Sequence, residues 1–252
     1  MLYHELAELP DYQARLKMND NETSVSEPTF GRTLTEEAGL GRDIYFSEKY
    51  FQRTQLFSQA AQLHEIYQFH PKSILEIGPG NGLVSAFLRS AGFHVDTFDI
   101  NQDLNPTFVG SVLELENQIA PKCYDLVVCC EVLEHLPFED LPQALSQLAR
   151  VARKSVLITL PQAKKWFFSL GGFLQFPSCK TYWFSFTPSF GRTHPIYKNH
   201  HWEVGWKKRH SIPELRRLME KEFVVEQVRE EPMKPYHLFF RLSVRKLAKP
   251  NL

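Results

Sequence analysis

A chain of 252 residues, 43% hydrophobic and 23% charged, can bury one large core with an appendage, and its composition is that of a globular protein. Its 29 Lys and Arg balance 29 Asp and Glu. No segment approaches the roughly 20 apolar residues of a membrane-crossing helix, and no basic-then-apolar leader opens the chain, so a cytoplasmic protein is expected.

Residues 1–46 are polar and broken by Pro and Gly, and are expected to form an arm that carries little chemistry. Residues 47–252 are expected to form one domain. Ser47 is a plausible N-cap for one long helix ending near Pro71, with Tyr50, Phe51, Phe57, Ala61, Leu63, Ile66 and Tyr67 turned largely to one side, toward a sheet. Strands and helices then alternate: strand 73–78, helix from about 82, strand 94–99, a short strand near 107–110, and strand 124–130. A helix through 139–153 and a strand at 155–160 follow. Beyond an irregular stretch, 161–206, come a helix from 212 and strands at 222–230 and 236–245. Apolar, non-alternating strands separated by helices predict a parallel sheet covered on both faces.

Within "SILEIGPGNGLVSAFL", residues 73–88, strand passes to helix through Gly78, Gly80 and Gly82. Such a turn points backbone N–H groups and the positive end of a helix dipole at a ligand. The G-x-G-x-G spacing behind Glu76 is not the G-x-G-x-x-G of dinucleotide folds, which disfavours NAD and FAD. Asp99 closes the second strand, where a carboxylate can accept both hydroxyls of a ribose.

With these residues in place, "LEIGPGNG" and "YDLVVCCEVLEHL" resemble two motifs of the class I S-adenosylmethionine-dependent methyltransferases, over about residues 47–245. The resemblance implies an α/β, Rossmann-like seven-stranded fold of order 3-2-1-4-5-7-6 with the last strand antiparallel, extended by a helical N-terminus and an aromatic lid insertion. It implies S-adenosylmethionine as cofactor, with Glu76, Gly78, Gly80 and Gly82 around its methionine part, Asp99 on its ribose and Glu131 as a further cofactor-binding residue. Ile100 would lie against the adenine. Ser111 stands where many members carry an aspartate for the adenine amino group, and with the Val112 backbone it is the expected adenine contact.

Beyond strand four, Glu131, Glu134 and His135 fall at i, i+3 and i+4, so a helical turn would gather them. Their E-x-x-E-H spacing resembles a motif of many methyltransferases that use no metal, and also that of ubiquinone-pathway O-methyltransferases and of small-RNA 2′-O-methyltransferases, where such residues bind a divalent cation. A second group, His194, His200, His201 and Glu203, precedes the final helix. Glu131, His135, His200 and His201 are the candidate catalytic residues, as proton acceptors or around a shared cation.

The 161–206 stretch holds all four tryptophans and nine Phe or Tyr residues, and is expected to be a lid inserted between strands five and six. Its aromatics suit a planar or lipid-like acceptor, or a membrane surface beside Lys164 and Lys165, or plain packing on the core. From Pro161 onward 17 Lys and Arg face 7 Glu and no Asp. That asymmetry points to an anionic partner or to pairing with the acidic remainder of the chain. Cys123, Cys129, Cys130 and Cys179 lack metal-site spacing and are expected as reduced thiols. Together the residues predict methyl transfer to a small molecule, with oxygen preferred, by a monomer or homodimer. RNA methylation and a catalytically silent partner subunit are the alternatives, and the absence of an RNA-binding appendage stands against the first.

Overall fold

The computed structural model describes residues 31–163, 165–167, 170–177, 180–186, 188–193 and 196–245. Cys179, His194 and the first thirty residues lie outside them, as do the side chains of Trp166 and Trp183. Three short helices come first: α1 (Leu34–Ala38), α2 (Arg42–Tyr45) and α3 (Glu48–Phe51). The long helix α4 (Arg53–Gln68) follows, then β1 (Ser73–Ile77), α5 (Leu83–Ser90), β2 (His94–Asp99), β3 (Phe108–Val109), β4 (Tyr124–Cys130), α6 (Leu141–Val151) and β5 (Ala152–Pro161). Next come β6 (Lys165–Phe167), β7 (Leu170–Gln175), β8 (Thr181–Phe186) and β9 (Ser189–Thr193). The chain closes on α7 (Ile212–Met219), β10 (Phe223–Glu231) and β11 (Lys234–Val244).

Seven strands form one sheet in the order β3-β2-β1-β4-β5-β11-β10. All neighbours are parallel except β11, which runs against both β5 and β10. With β10 and β11 counted as sixth and seventh, this is the expected 3-2-1-4-5-7-6 arrangement. Ile74, Leu75, Leu126, Val127, Leu157 and Ile158 are essentially without exposure, so the central strands are buried on both faces, as parallel strands are. In α6 the buried Ala144, Leu145, Leu148 and Val151 recur at helical spacing and cover one face. β1 leads outward to β2 while β4 lies on its other side, so the carboxyl edge between β1 and β4 is the switch point where open α/β sheets bind ligands.

Two elements depart from the sequence-based expectation. The helix predicted from Ser47 is broken at Gln52, whose extended backbone (ψ 143°) separates α3 from α4. Of the predicted apolar side, Ala61, Leu63 and Ile66 pack on the core and Phe51 and Tyr67 are exposed, while the fully buried positions of α4 are mostly polar: Ser58, Gln59, Gln62 and Glu65 beside Ile66. Each polar residue with a named partner meets one across the fold: Ser58 meets His237, Gln59 meets Asn81, and Glu65 meets Arg229 and Arg241. Hydrogen-bond pairing therefore outweighs hydrophobic periodicity here. The second departure lies within 161–206: between residues 165 and 193, β7 pairs with β8 and β6 with β9, both antiparallel, while 196–206 is irregular as expected. Among the described residues, Cys123, Cys129 and Cys130 are free thiols, and no helix is long and apolar enough to cross a membrane.

Candidate active site

The turn after β1 needs its glycines. Gly78, Gly80 and Gly82 have φ of 68°, 55° and 72°, the left-handed region that side chains rarely adopt. A Cβ on Gly78 would sit 2.3 Å from Val132 Cγ2, so the turn lies flush against the loop that follows β4. Gly82 opens α5, aiming that helix's amino end at the carboxyl edge of the sheet.

Two buried carboxylates flank the turn. Glu76 is 5% exposed, its Oε2 has no hydrogen-bond partner, and burial pushes its carboxyl up to about 7. Asp99 accepts the Asn101 N–H at 2.8 Å, and burial, reinforced by the Glu37 charge, raises it to about 6. Ile100 is half-buried beside it. Ser111 caps the next 3-10 turn, its Oγ accepting the Leu113 N–H at 3.2 Å, and Val112 is buried. These residues stand at or just beyond the carboxyl ends of β1, β2 and β3, on one side of the switch point.

The second group stands after β4. Glu131 takes φ 57°, a strained value for a side-chain-bearing residue, and its N–H donates to Thr159 O. Its carboxylate accepts the Thr159 hydroxyl at 2.9 Å and meets His237 Nε2 at 3.2 Å. His237 Nδ1 lies 2.7 Å from Ser58 Oγ. Burial holds the His237 ring far below the usual imidazole pKa, so it is neutral, donating Nε2–H to Glu131 and accepting the Ser58 hydroxyl. Burial likewise raises Glu131 to about 7.

Glu134 has no exposure, both of its carboxylate oxygens lack a partner, and burial beside Glu131 pushes it well above the usual range. His135 Nδ1 meets Glu37 Oε1 at 3.2 Å, and His200 Nδ1 meets Glu203 Oε1 at 2.8 Å. The two rings stand 5.0 Å apart, edge to face. One ligand atom from each of Glu134, His135 and His200 lies within 4.8 Å of the others. Glu131 is not in that group, being turned to Thr159 and His237. His201 instead fastens the N-terminal segment, donating Nε2–H to Arg32 O at 3.0 Å.

Residues 31–45, part of the arm expected to carry little chemistry, lie on this site. Tyr45 Cδ1 stands 3.6 Å from where a Gly80 Cβ would be, and Asn101 Nδ2 donates to Leu40 O at 2.7 Å. A cleft of about 120 Å³ separates this strap from the glycine turn, lined by Arg42, Gly80, Asn81, Thr97 and Asn105 among others. Of the lid residues, Trp202 is a core residue, fully buried against Phe138 and donating to Leu136 O. Sequence reasoning missed Glu37, His237 and Tyr236, whose hydroxyl donates to Glu203 Oε1 at 2.9 Å. The signal for the last two was the polar pair heading "YHLFFRLSVR", because an antiparallel strand begins at the edge where its parallel neighbours end.

A methyltransferase-domain family model matches residues 46–221. The ubiquinone biosynthesis O-methyltransferase of Rickettsia typhi is 31% identical over 109 residues, 36% of this chain and 42% of that protein. Its counterpart from Paraburkholderia xenovorans is 32% identical over 96 residues, 33% and 40% of the two chains. The chain thus matches less than half the length of these curated relatives. Among solved structures, the PH0226 protein of Pyrococcus horikoshii superposes with a TM-score of 0.52 at 14% identity, covering 82% of this chain and all of that one. The 1,6-didemethyltoxoflavin-N1-methyltransferase of Burkholderia thailandensis, solved with its acceptor and S-adenosylhomocysteine, gives 0.51 at 14% identity over 90% and 94% of the two chains. Since the family model takes in more than half of its residues, and the fold agrees, the chain belongs to the methyltransferase-domain family.

Proposed function

We propose that the protein transfers a methyl group from S-adenosylmethionine to an oxygen of a small aromatic or lipid-like acceptor, with a divalent cation at the acceptor side. The observation that carries this reading is the meeting, across β1 and β4, of a left-handed glycine cradle with a carboxylate–histidine cluster. Three observations support the cofactor reading: Gly78, Gly80 and Gly82 keep the left-handed turn free of side chains, Glu76 Oε2 is buried without a partner, and Asp99 ends β2 as a buried carboxylate able to accept from ribose hydroxyls. The bound cofactor supplies the activated methyl group. The chain's own tasks are to align the acceptor, exclude water and receive its proton.

The cluster fits a hard or borderline cation. Glu134 offers two orphaned buried oxygens, and a ring that donates Nδ1–H to a carboxylate, as His135 and His200 do, carries its lone pair on Nε2. A cation there would make a hydroxyl acceptor more acidic. Glu131, raised to about 7, suits the proton-accepting role, and the Thr159 hydroxyl and His237 N–H hold its two oxygens. The names of the curated relatives favour oxygen as the acceptor atom. An apolar acceptor is supported by the β7–β8 hairpin, where Phe173, Leu174, Phe184 and Phe186 are all more than 40% exposed.

Calorimetric titration with S-adenosylhomocysteine tests the cofactor half. Micromolar-range binding, weakened at least about tenfold by Asp99→Ala, is expected from the loss of a charge-assisted ribose contact. Turnover that vanishes with chelator and returns with Mg²⁺ or Mn²⁺ tests the other half.

A further inference from the structure

The family match begins at residue 46, yet the strap ahead of it reaches into the cluster. α1 has five residues, too short to persist by itself, and is pinned from both sides. Gly31 N–H donates to Lys198 O at 3.0 Å, His201 to Arg32 O at 3.0 Å, and Asn101 to Leu40 O at 2.7 Å. A Cβ on Gly31 would fall 2.2 Å from His201 Cδ2, so the strap lies directly on that ring. Thr33 and Glu36 form a reciprocal capping box that fixes the start of α1. With that end fixed, the next residue, Glu37, turns inward: its side chain is 12% exposed, and its Oε1 meets His135 Nδ1 at 3.2 Å and Arg32 Nη1 at 3.4 Å.

His135 and His200 are thereby treated alike. Each ring has Nδ1 on a shielded carboxylate, but Glu203 follows His200 by three residues, whereas Glu37 comes from 98 residues away. We infer that Glu37 is a positioning residue, holding His135 in its Nδ1–H tautomer so that Nε2 joins Glu134 and His200 as a cation ligand. This rests on the cation reading above. An outer carboxylate that fixes the tautomer and raises the basicity of a ligating histidine is worth roughly 10–100-fold in metal affinity.

The test is Mn²⁺ titration of the full chain by calorimetry, beside S-adenosylhomocysteine titration and ¹⁵N spectra of the histidine rings. Glu37→Gln keeps the shape and an acceptor oxygen but loses the charge, and is expected to weaken Mn²⁺ binding about tenfold, with Glu37→Ala nearer a hundredfold. His135 should be the Nδ1–H tautomer in the parent and lose that preference in Glu37→Ala. Thr33→Ala loosens α1 while leaving Glu37 in place, and should cost clearly less Mn²⁺ affinity than Glu37→Ala. Parent-like Mn²⁺ affinity in Glu37→Ala would overturn the inference while leaving the cation reading intact. Equal losses in Thr33→Ala and Glu37→Ala would also overturn it, reducing Glu37 to a brace of the strap. A parent protein that binds the cofactor product but no Mn²⁺ would remove the cation reading and this inference together.

Discussion

Glu76 is a carboxyl kept from water in a site that becomes useful only when something fills it. Its folded-state pKa, about 7, lies above the ordinary value, so the stability it contributes is fully present below about pH 4.5 and is lost as pH rises through 7. Asp99 and Glu131 behave alike, at about 6 and about 7. The apo protein should therefore lose stability between about pH 5 and 8, and Glu76→Gln should raise its melting temperature more at pH 8 than at pH 5. The expected gain at pH 8 is on the order of 3 kcal/mol; a difference that does not grow with pH would show that Glu76 is solvated. Gly78→Ala, meeting Val132 at 2.3 Å in a left-handed backbone, should abolish S-adenosylhomocysteine binding in calorimetry. The glycines, Asp99 and the Glu134–His135 pair are legible in the sequence because their chemistry lies in short fixed spacings. Glu37 and His237 are not, because each matters through a partner about a hundred residues away.

At the level of elements, the strands of the sheet and the helices that follow them were legible because burial on both faces leaves uninterrupted apolar runs. α4 was misread in part, since Ser58, Gln59 and Glu65 are inward only by virtue of His237, Asn81 and two arginines elsewhere in the chain. The β6–β9 hairpin was hidden by its own composition: aromatic on both faces, it has no alternation to read. Those aromatics remain exposed after folding, so replacing Phe173, Phe184 and Phe186 by Ser should change stability by no more than about 0.5 kcal/mol each. The same triple variant should lose turnover on an acceptor presented in phospholipid vesicles while keeping it on a short soluble analogue. Equal loss on both would place the hairpin over the acceptor rather than on a surface.

Across the whole molecule, the charge asymmetry finds part of its answer inside the fold. Glu65, 4% exposed, accepts Arg229 at 2.6 Å and Arg241 at 3.2 Å, and Glu139 pairs with Arg209, tying the acidic part to the basic third. Glu65→Ala would leave two guanidiniums facing a half-buried void and should cost about 3 kcal/mol in denaturant unfolding, the size expected when one partner of a buried ion pair is removed. Surface-like behaviour, below about 1 kcal/mol, would show that water replaces the carboxylate.

β11 also sets an order of events. It follows β10 in sequence yet lies between β10 and β5, and its Phe239 and Phe240 have no exposure. A chain emerging from the ribosome can assemble β1 to β5, but β5 then presents an open, apolar edge until residues 234–244 are released and slot in. Tyr236 and His237 ride on that strand, so Glu203 and Glu131 each gain one further donor in the same closing step. A nascent chain that has not reached β11 leaves that apolar edge bare and leaves Glu131 without its His237 partner.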